Sequence, residues 1–229
     1  TPRVRPAVPP EIAGLAPLIE AARGGGDAEA LAVLAAAGIP VIAHRRAASV
    51  AEACAAARAL GYPVALKTDE GHLHKTEMGG VALGLADEAG LAAAYRAMAA
   101  RLGPRVLVAA MAPKGIEVAL GIAPGDEYGP MAMAAAGGVL VEVLEDRAFE
   151  LAPVTEMEAD AMVGRLKIAR LLAGVRGRAA VERTALARAL SRLSMLAAAH
   201  PGLIAELDVN PIIVHAGGAV AVDAVLRLR

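Results

Sequence analysis

The hydrophobic residues of this chain are almost all small and aliphatic, and this restricts the folds that the chain can adopt. Hydrophobic residues make up 57% of the 229 residues, whereas aromatic residues make up only 2%. Ala, Val and Leu must therefore build the core, and such side chains favour the close packing of helices on a sheet. A chain of this length can bury one sizeable core or two small lobes.

Short apolar strands alternate with helices along the chain, and glycine or proline marks most of the boundaries between them. Strands are predicted at 39–42, 64–68, 81–85, 105–111, 204–209, 212–215 and 220–225. A further run of strands begins with 116–122 and continues to about residue 150. Helices are predicted at 27–37, 49–61, 87–102, from Thr155 onward and 181–199. Strands that carry helices on one side predict an α+β, or mixed α/β, architecture.

The domain organisation is predicted from the positions of proline and glycine. Four prolines before Glu11 and the triple glycine at 24–26 indicate that residues 1–26 are a leader or linker. The turn at Pro113 divides the remainder into residues 27–112, with the lysine and glycine motifs, and residues 113–229. We expect these to form two lobes.

Composition argues against several functional classes. The formal net charge is −1, and the chain has no Trp, one Phe and three Tyr, so nucleic-acid binding is not expected. The longest apolar run, 131–141, is too short to span a bilayer, so no membrane association is expected. Cys54 is the single cysteine, which excludes an internal disulfide and fits a reducing cytoplasm.

The most informative motif is GHLHKTEMGGV at 71–81, which follows the predicted strand that ends with Lys67. Glycine lets a backbone approach phosphate closely, and lysines supply positive charge to phosphoryl oxygens. Lys67 and Lys75 are therefore candidate phosphate ligands, although a strand-end lysine is often merely solvated. His72 and His74 could be ordinary loop histidines or a zinc pair, but the sharper hypothesis makes His74 a phosphoryl-accepting imidazole.

A second cluster is ELDVNPIIV at 206–214, in which Glu206, Asp208 and Asn210 alternate on one face of a predicted strand. Asp223 is expected on a partner strand, in a hairpin through Gly217 and Gly218. Mg²⁺ prefers one or two carboxylates, an amide oxygen and phosphate oxygens. Asp208, Asn210 and Asp223 are therefore predicted to bind Mg²⁺, and a solvent-facing polar edge is the alternative.

Two further positions complete the candidates. Glu117 follows the predicted boundary between the lobes and could meet ribose hydroxyls, a cation or a histidine. Arg176, in the loop GVRG, could clamp a phosphate or be an exposed arginine. Asp146 is expected to face solvent. A Walker A loop, a Ser-His-Asp arrangement and a GxGxxG fingerprint are all missing from the sequence.

These motifs, in this order, resemble the ATP-grasp domain of ADP-forming acyl-CoA synthetases, the acetate–CoA ligase family related to succinyl-CoA synthetase. The matching stretches are GYPVALK, HKTEMGGV, GIEVALGI, YGPMAMAAAGGVLVEVLEDRAFELAPVT, LLAGVRGR and ELDVNPIIVHAGGAVAVDAV. They extend from about residue 27 to the end of the chain. The resemblance implies an ATP-grasp fold, with two α+β lobes and a nucleotide between them.

The resemblance also implies roles for individual residues. Lys67 would bind the phosphates of ATP or ADP, and the glycine pair Gly79–Gly80 would cover them. Residues from Val108 to Met111 would hold adenine, and Glu117 would lie near the ribose or the phosphoryl path. Asn210 and Asp223, with Asp208, would coordinate Mg²⁺. His74 would relay a phosphoryl group between ADP and a phosphohistidine on a partner domain.

The implied reaction is acid + CoA + ATP to acyl-CoA + ADP + phosphate, or its reverse. The CoA-binding and CoA-ligase parts of that family are not found in this sequence, so we expect a partner subunit or domain and an oligomeric assembly. The sequence does not indicate the acid. The alternatives are a non-catalytic regulatory nucleotide-binding module and an interaction domain without nucleotide affinity.

Overall fold

The computed structural model describes residues 5–70, 78–138, 145–175 and 179–229. The helices are α1 (Pro10–Ala13), α2 (Ala16–Ala21), α3 (Asp27–Ala36), α4 (Val50–Leu60), α5 (Glu88–Leu102), α6 (Glu156–Arg165), α7 (Ala169–Leu172) and α8 (Arg183–Ala199). The strands are β1 (His44–Ala47), β2 (Val64–Thr68), β3 (Val81–Leu85), β4 (Val106–Ala110), β5 (Ile116–Ala123), β6 (Met131–Ala136), β7 (Arg147–Leu151), β8 (Ile204–His215), β9 (Gly218–Ala221) and β10 (Val225–Leu228).

The chain forms two compact units. The larger unit contains the residues up to Arg23, those from Ala30 to Val41 and those from Pro113 onward. The smaller unit contains Gly24–Glu29 and Ile42–Ala112. Each unit combines helices with an antiparallel sheet.

The smaller unit is a sheet with the strand order β1-β4-β2-β3, in which every neighbouring pair is antiparallel. Helices α4 and α5 pack on one face of this sheet. The core between them is built from small aliphatic residues, as the composition predicts, with Leu66, Leu91, Val106 and Val108 at 0% exposure. Side chains at alternate positions of the strands therefore point away from the helices.

The larger unit contains a sheet with the order β10-β8-β5-β6-β7, to which β9 adds by pairing with β8. Helices α6 and α8 contact this sheet. In β8, Leu207 and Val209 are buried, whereas Glu206, Asp208 and Asn210 are only partly buried. We therefore place Leu207 and Val209 on the helix-covered face and the three polar residues on the opposite face.

Local sequence signals explain where the helices begin. Ser49 and Asp87 accept hydrogen bonds from backbone amides in the first turns of α4 and α5. Thr155 and Glu158 form a reciprocal capping box at the start of α6, as the sequence predicts. These caps satisfy amide groups that the helix itself leaves without partners.

Four predicted strands differ from the structure. The strand predicted at 39–42 is only a single bridge from Val41 to Ala221, because Ile39 and Ile42 fill the core and Pro40 has no N–H to donate. The two strands predicted at 204–215 are one continuous strand that includes Pro211. The strand predicted at 220–225 is interrupted after Ala221 and resumes at Val225.

None of the helices in the described part of the chain combines the length and hydropathy needed to cross a membrane.

Candidate functional site

One group of candidate residues lies at the end of β2 in the smaller unit. Lys67 is 4% exposed, and it pairs with Val81 of β3 and Leu107 of β4. Val64 and Leu66 belong to the core beneath α4 and α5, so the alternation of the strand places Lys67 on the opposite face. A lysine is seldom this deeply buried, and a cation in such surroundings interacts strongly with an anion.

The glycine pair predicted to cover phosphates lies beside Lys67. Gly80 accepts a hydrogen bond from the amide of Thr68 over 2.8 Å. Gly79 has a φ of +64°, a conformation that glycine adopts without a steric penalty, and its carbonyl accepts a hydrogen bond from Arg101 over 3.0 Å. The structure therefore brings Lys67, Gly79 and Gly80 together.

Three predicted ligands lie outside the described residues. They are His74 and Lys75, which precede the glycine pair in sequence, and Arg176, which follows α7. Their assigned roles remain predictions from the sequence.

Val108 is not placed to contact adenine through its side chain. Its side chain is 0% exposed and belongs to the core between α4, α5 and the sheet, so it does not face a ligand. Its backbone lies in the middle of β4, which pairs with β1 on one side and β2 on the other. Met111 differs, because it follows the end of β4 and is 38% exposed. Of the two, only Met111 has a side chain available to a nucleotide.

A separate group of candidate residues lies on β8 and close to it in the larger unit. Asp208 is partly buried there and pairs with Gly121 of β5 and Val225 of β10. Burial raises the pKa of Asp208 to about 6, and the carboxylates of Glu206 and Asp223 add to this effect. A partly buried carboxylate that lies near other negative charges is stabilised by binding either a proton or a cation.

Asp223 lies beyond the end of β9, and not on a strand as predicted. Ala221 pairs with Ile212 and Val225 pairs with Asp208, so the intervening residues run beside β8 at Asn210. The ladder is interrupted there because Pro211 has no N–H, although its carbonyl accepts a hydrogen bond from Val222 over 3.0 Å. Asp223 is nevertheless close enough to Asp208 to raise its pKa.

Glu117 lies near the same part of the larger unit. The amide of Gly137 donates to the carbonyl of Glu117 over 3.1 Å, and the amide of Gly138 donates to Asn210 Oδ1 over 3.4 Å. Gly138 has a φ of +58°, and a methyl group in place of its hydrogen would collide with the carboxylate of Glu117. The structure thus brings together Glu117, the glycine pair after β6 and Asn210.

The donor set on β8 and the segment after β9 fits a hard divalent cation that also binds phosphate oxygens. Within the residues that the structure describes, no group of three or more His, Cys, Asp or Glu side chains is placed to hold a metal ion alone. Asp208, Asn210 and Asp223 supply two carboxylates and an amide, so the other ligands must be phosphate oxygens or water. Mg²⁺ is commonly bound in this way.

Sequence reasoning also missed residues. Asp146 was expected to face solvent, but it is 6% exposed and accepts hydrogen bonds from the amides of Lys167 and Ile168 over 2.8 and 3.0 Å. Arg46 forms ion pairs with Glu29 and Asp69, close to Lys67 in the smaller unit. No motif marks these residues, although Asp69 follows Lys67 by two residues, a spacing that places both on one face of an extended backbone.

A family model described as an ATP-grasp domain matches residues 22–228. Among curated proteins, the chain is 34% identical over 160 residues to the acetate–CoA ligase [ADP-forming] I subunit beta of Pyrococcus furiosus, covering 66% of this chain and 68% of that subunit. It is 38% identical over 159 residues to the acetate–CoA ligase [ADP-forming] I of Archaeoglobus fulgidus, covering 66% of this chain but only 23% of that enzyme.

A solved structure is similar to most of this chain. It is an acetyl-coenzyme A synthetase of Ca. Korarchaeum cryptofilum, in complex with coenzyme A and Mg-AMPPCP, in which a phosphohistidine segment points towards the nucleotide-binding site. Sequence identity is 33%, the TM-score is 0.82, and the match covers 93% of this chain and 99% of that chain.

Proposed function

This chain belongs to the ATP-grasp domain family, and from that premise we propose that it is the nucleotide-binding subunit or domain of an ADP-forming acyl-CoA synthetase. The complete enzyme would convert an acid, CoA and ATP to acyl-CoA, ADP and phosphate. The observation that carries the proposal is the match to a separate beta subunit, 68% of which this chain covers at 34% identity.

Lys67 is proposed to bind the phosphates of ATP or ADP. Its burial on the helix-free face of β2 and its position beside Gly79 and Gly80 support this role. Lys75 and Arg176 are proposed to add positive charge to the same phosphates. Met111 is proposed to contact the adenine, because its side chain is partly exposed at the end of β4.

Asp208, Asn210 and Asp223 are proposed to hold Mg²⁺. The metal would neutralise charge on the phosphate oxygens when bound. The raised pKa of Asp208 supports this assignment, because the local excess of negative charge favours a cation. The structure of the Ca. Korarchaeum cryptofilum enzyme contains a magnesium-bound nucleotide analogue, which is consistent with this assignment.

His74 is proposed to carry the phosphoryl group between nucleotide and partner. In the direction of ATP synthesis, a ring nitrogen of His74 forms a new P–N bond as the P–N bond of the partner's phosphohistidine breaks. The terminal phosphate oxygen of ADP then attacks phosphorus, and the imidazole leaves. Glu117 is proposed to orient the imidazole or the ribose. Positioning and charge neutralisation supply most of the rate enhancement in such transfers.

The acid and CoA are proposed to bind elsewhere in the complete enzyme. The chain spans only 23% of the single-chain ligase of Archaeoglobus fulgidus, so most of that protein has no counterpart here. We propose a CoA-binding partner subunit or domain that carries its own phosphohistidine, and an oligomeric assembly of the two.

The test is phosphoryl transfer in the assembled enzyme, with His74→Ala compared with the matched variant His72→Ala. With labelled ATP and the partner present, wild type and His72→Ala should label the partner's histidine, and His74→Ala should not. Full labelling with His74→Ala would contradict the relay. Nucleotide binding without any transfer in the wild type would instead favour a regulatory module.

A further inference from the structure

Asp146 is a buried carboxylate in the larger unit to which the proposed function gives no role. It is 6% exposed and lies immediately before β7. Its two carboxylate oxygens accept hydrogen bonds from consecutive backbone amides, Oδ1 from Lys167 over 2.8 Å and Oδ2 from Ile168 over 3.0 Å. Hydrogen bonds from backbone amides to a carboxylate are stronger than those between neutral groups, so these two contacts hold Asp146 in place.

The two amides belong to the segment that joins α6 to α7. The side chains of Leu166 and Ile168 in this segment are buried, with exposed fractions of 4% and 2%. Close packing around buried side chains leaves a segment little freedom to move. Asp146 is therefore attached to a part of the larger unit whose position is determined by the core.

The backbone of Asp146 also closes the end of the β6–β7 pair. Ala136, the last residue of β6, donates its amide to the carbonyl of Asp146 over 3.1 Å. Glu145, immediately before Asp146, has a φ of +44°, a conformation that is unfavourable for a residue with a side chain. Such a conformation persists where surrounding contacts outweigh its cost, and the contacts of Asp146 are of this kind.

The glycine pair at 137–138 directly follows Ala136 and contacts two of the candidate site residues. The amide of Gly137 donates to the carbonyl of Glu117 over 3.1 Å, and the amide of Gly138 donates to Asn210 Oδ1 over 3.4 Å. A side-chain amide oxygen has two lone pairs, so Asn210 can accept from Gly138 and still bind a cation. The position of the Gly138 amide therefore determines where the second lone pair of Asn210 points.

We propose that Asp146 is a positioning residue for Mg²⁺: its carboxylate holds the end of the β6–β7 pair, and so keeps the amide of Gly138 against Asn210. This inference rests on the proposed function, because it assumes that Asn210 binds the metal. Without its contacts to the amides at 167 and 168, Asp146 no longer fixes Ala136 and the glycine pair that follows. Asn210 then loses its fixed orientation, and loss of a contact that orients a metal ligand commonly weakens metal binding by about ten- to a hundredfold.

The experiment is a calorimetric titration with ADP at a series of Mg²⁺ concentrations, with thermal unfolding of each variant measured in parallel. Asp146→Asn keeps the size of the side chain but leaves one of the two amides without an acceptor. Ser194→Ala is the matched control, because Ser194 is also buried in the larger unit and accepts from a backbone amide, that of Val154, over 2.9 Å. Asn210→Ala, alone and combined with Asp146→Asn, completes the set.

Asp146→Asn should raise the Mg²⁺ concentration for half-maximal ADP binding about tenfold, whereas its ADP affinity at saturating Mg²⁺ should lie within about twofold of wild type. Both Asp146→Asn and Ser194→Ala should lower the unfolding temperature, but Ser194→Ala should keep the wild-type Mg²⁺ requirement. In the Asn210→Ala background, Asp146→Asn should have no further effect on this requirement. A purely structural role for Asp146 would change the unfolding temperature alone.

An unchanged Mg²⁺ requirement in Asp146→Asn would overturn the inference and leave the proposed function intact. An equal rise in Asp146→Asn and Ser194→Ala would also overturn it, because the effect would then follow from lost stability. A failure of the wild type to bind MgADP would overturn both the inference and the proposed function.

Should Asp146→Asn fail to fold, hydrogen exchange of the wild-type protein tests the same connection. Coupling between two sites is reciprocal, so a ligand that fixes Asn210 must also stabilise the contacts of Asp146. Saturating MgADP should therefore slow exchange of the Lys167 and Ile168 amides about tenfold more than that of the Val154 amide. Equal slowing at all three amides, or no slowing at any of them, would contradict the inference.

Discussion

The backbone amide of Gly138 donates a hydrogen bond to the side-chain oxygen of Asn210 over 3.4 Å. This contact joins the glycine pair at 137–138, which follows β6, to the polar face of β8. It fixes the side-chain amide of Asn210, which we propose as a metal ligand. The carboxylate of Glu117 lies against Gly138 from the neighbouring strand. The position of Asn210 therefore depends on Gly138, which has no side chain and adopts a φ of +58°.

Gly138→Ala should disturb this arrangement more than an ordinary glycine substitution. The new methyl group would be strained by the positive φ and would displace Glu117, so we expect a loss of about 2 kcal/mol in unfolding free energy and weaker MgADP binding. Gly24→Ala is the matched control, because Gly24 has a φ of +70° with nothing within 4 Å of the added methyl. It should lose about 1 kcal/mol and keep its MgADP affinity.

Asp208 should make the metal-free protein sensitive to pH. Its folded-state pKa of about 6 exceeds the ordinary aspartate pKa of 3.8, so the folded state binds this proton more tightly than the unfolded state. The stabilisation from this group is full below pH 4 and is lost as pH rises through 6. In EDTA at pH 7.5, Asp208→Asn should therefore unfold at a higher temperature than wild type, and the two should converge at pH 4.

Mg²⁺ should reverse the order of the unfolding temperatures of wild type and Asp208→Asn, because it should stabilise the wild type. Because protons and the cation compete for Asp208, saturating Mg²⁺ should raise the unfolding temperature of wild type above pH 6 and have little effect below pH 5. Asp208→Asn should show a much smaller response at every pH. A wild-type response to Mg²⁺ that is equal at pH 5 and pH 7.5 would remove Asp208 from the proposed site.

A buried serine of α8, Ser194, should contribute measurably to the stability of the larger unit. Ser194 is 0% exposed, and its hydroxyl accepts a hydrogen bond from the amide of Val154 over 2.9 Å. Ser194→Ala would leave that buried amide without its acceptor, so we expect a loss of about 2 kcal/mol in chemical denaturation. The cap residue Ser49 is less buried, and Ser49→Ala should cost about 1 kcal/mol. A smaller effect at Ser194 than at Ser49 would contradict this account.

The elements with strong local signals were predictable from sequence. The strands Val64–Thr68 and Val81–Leu85 were predicted with the bounds that the structure gives them, and so was the capping box at Thr155. In each case the deciding information is local, because turn residues flank a short apolar run or a cap stands before a helix. The ATP-grasp fold followed from the order of the motifs and is confirmed by the family match.

The predictions fail for residues whose surroundings are determined by tertiary contacts. Val108 and its neighbour Leu107 are equally apolar, so sequence cannot show which of them faces the helices. Asp146 looks like a surface residue until two amides at 167 and 168 are seen to converge on it. The pairing of Arg46 with Asp69 joins residues 23 positions apart, and no spacing rule predicts it. The site assignments as a whole remain predictions that binding experiments must test.

The central claim is that this chain binds a magnesium-complexed nucleotide and that Lys67 and Asp208 are each required for this binding. The most direct measurement is a calorimetric titration of the chain with ADP, in Mg²⁺ and in EDTA, for wild type, Lys67→Ala and Asp208→Asn. The account predicts saturable binding to wild type in Mg²⁺, at least tenfold weaker binding to both variants, and a loss of affinity in EDTA. Absence of heat and of any thermal shift for the folded wild type, or equal affinity for all three proteins, would contradict it.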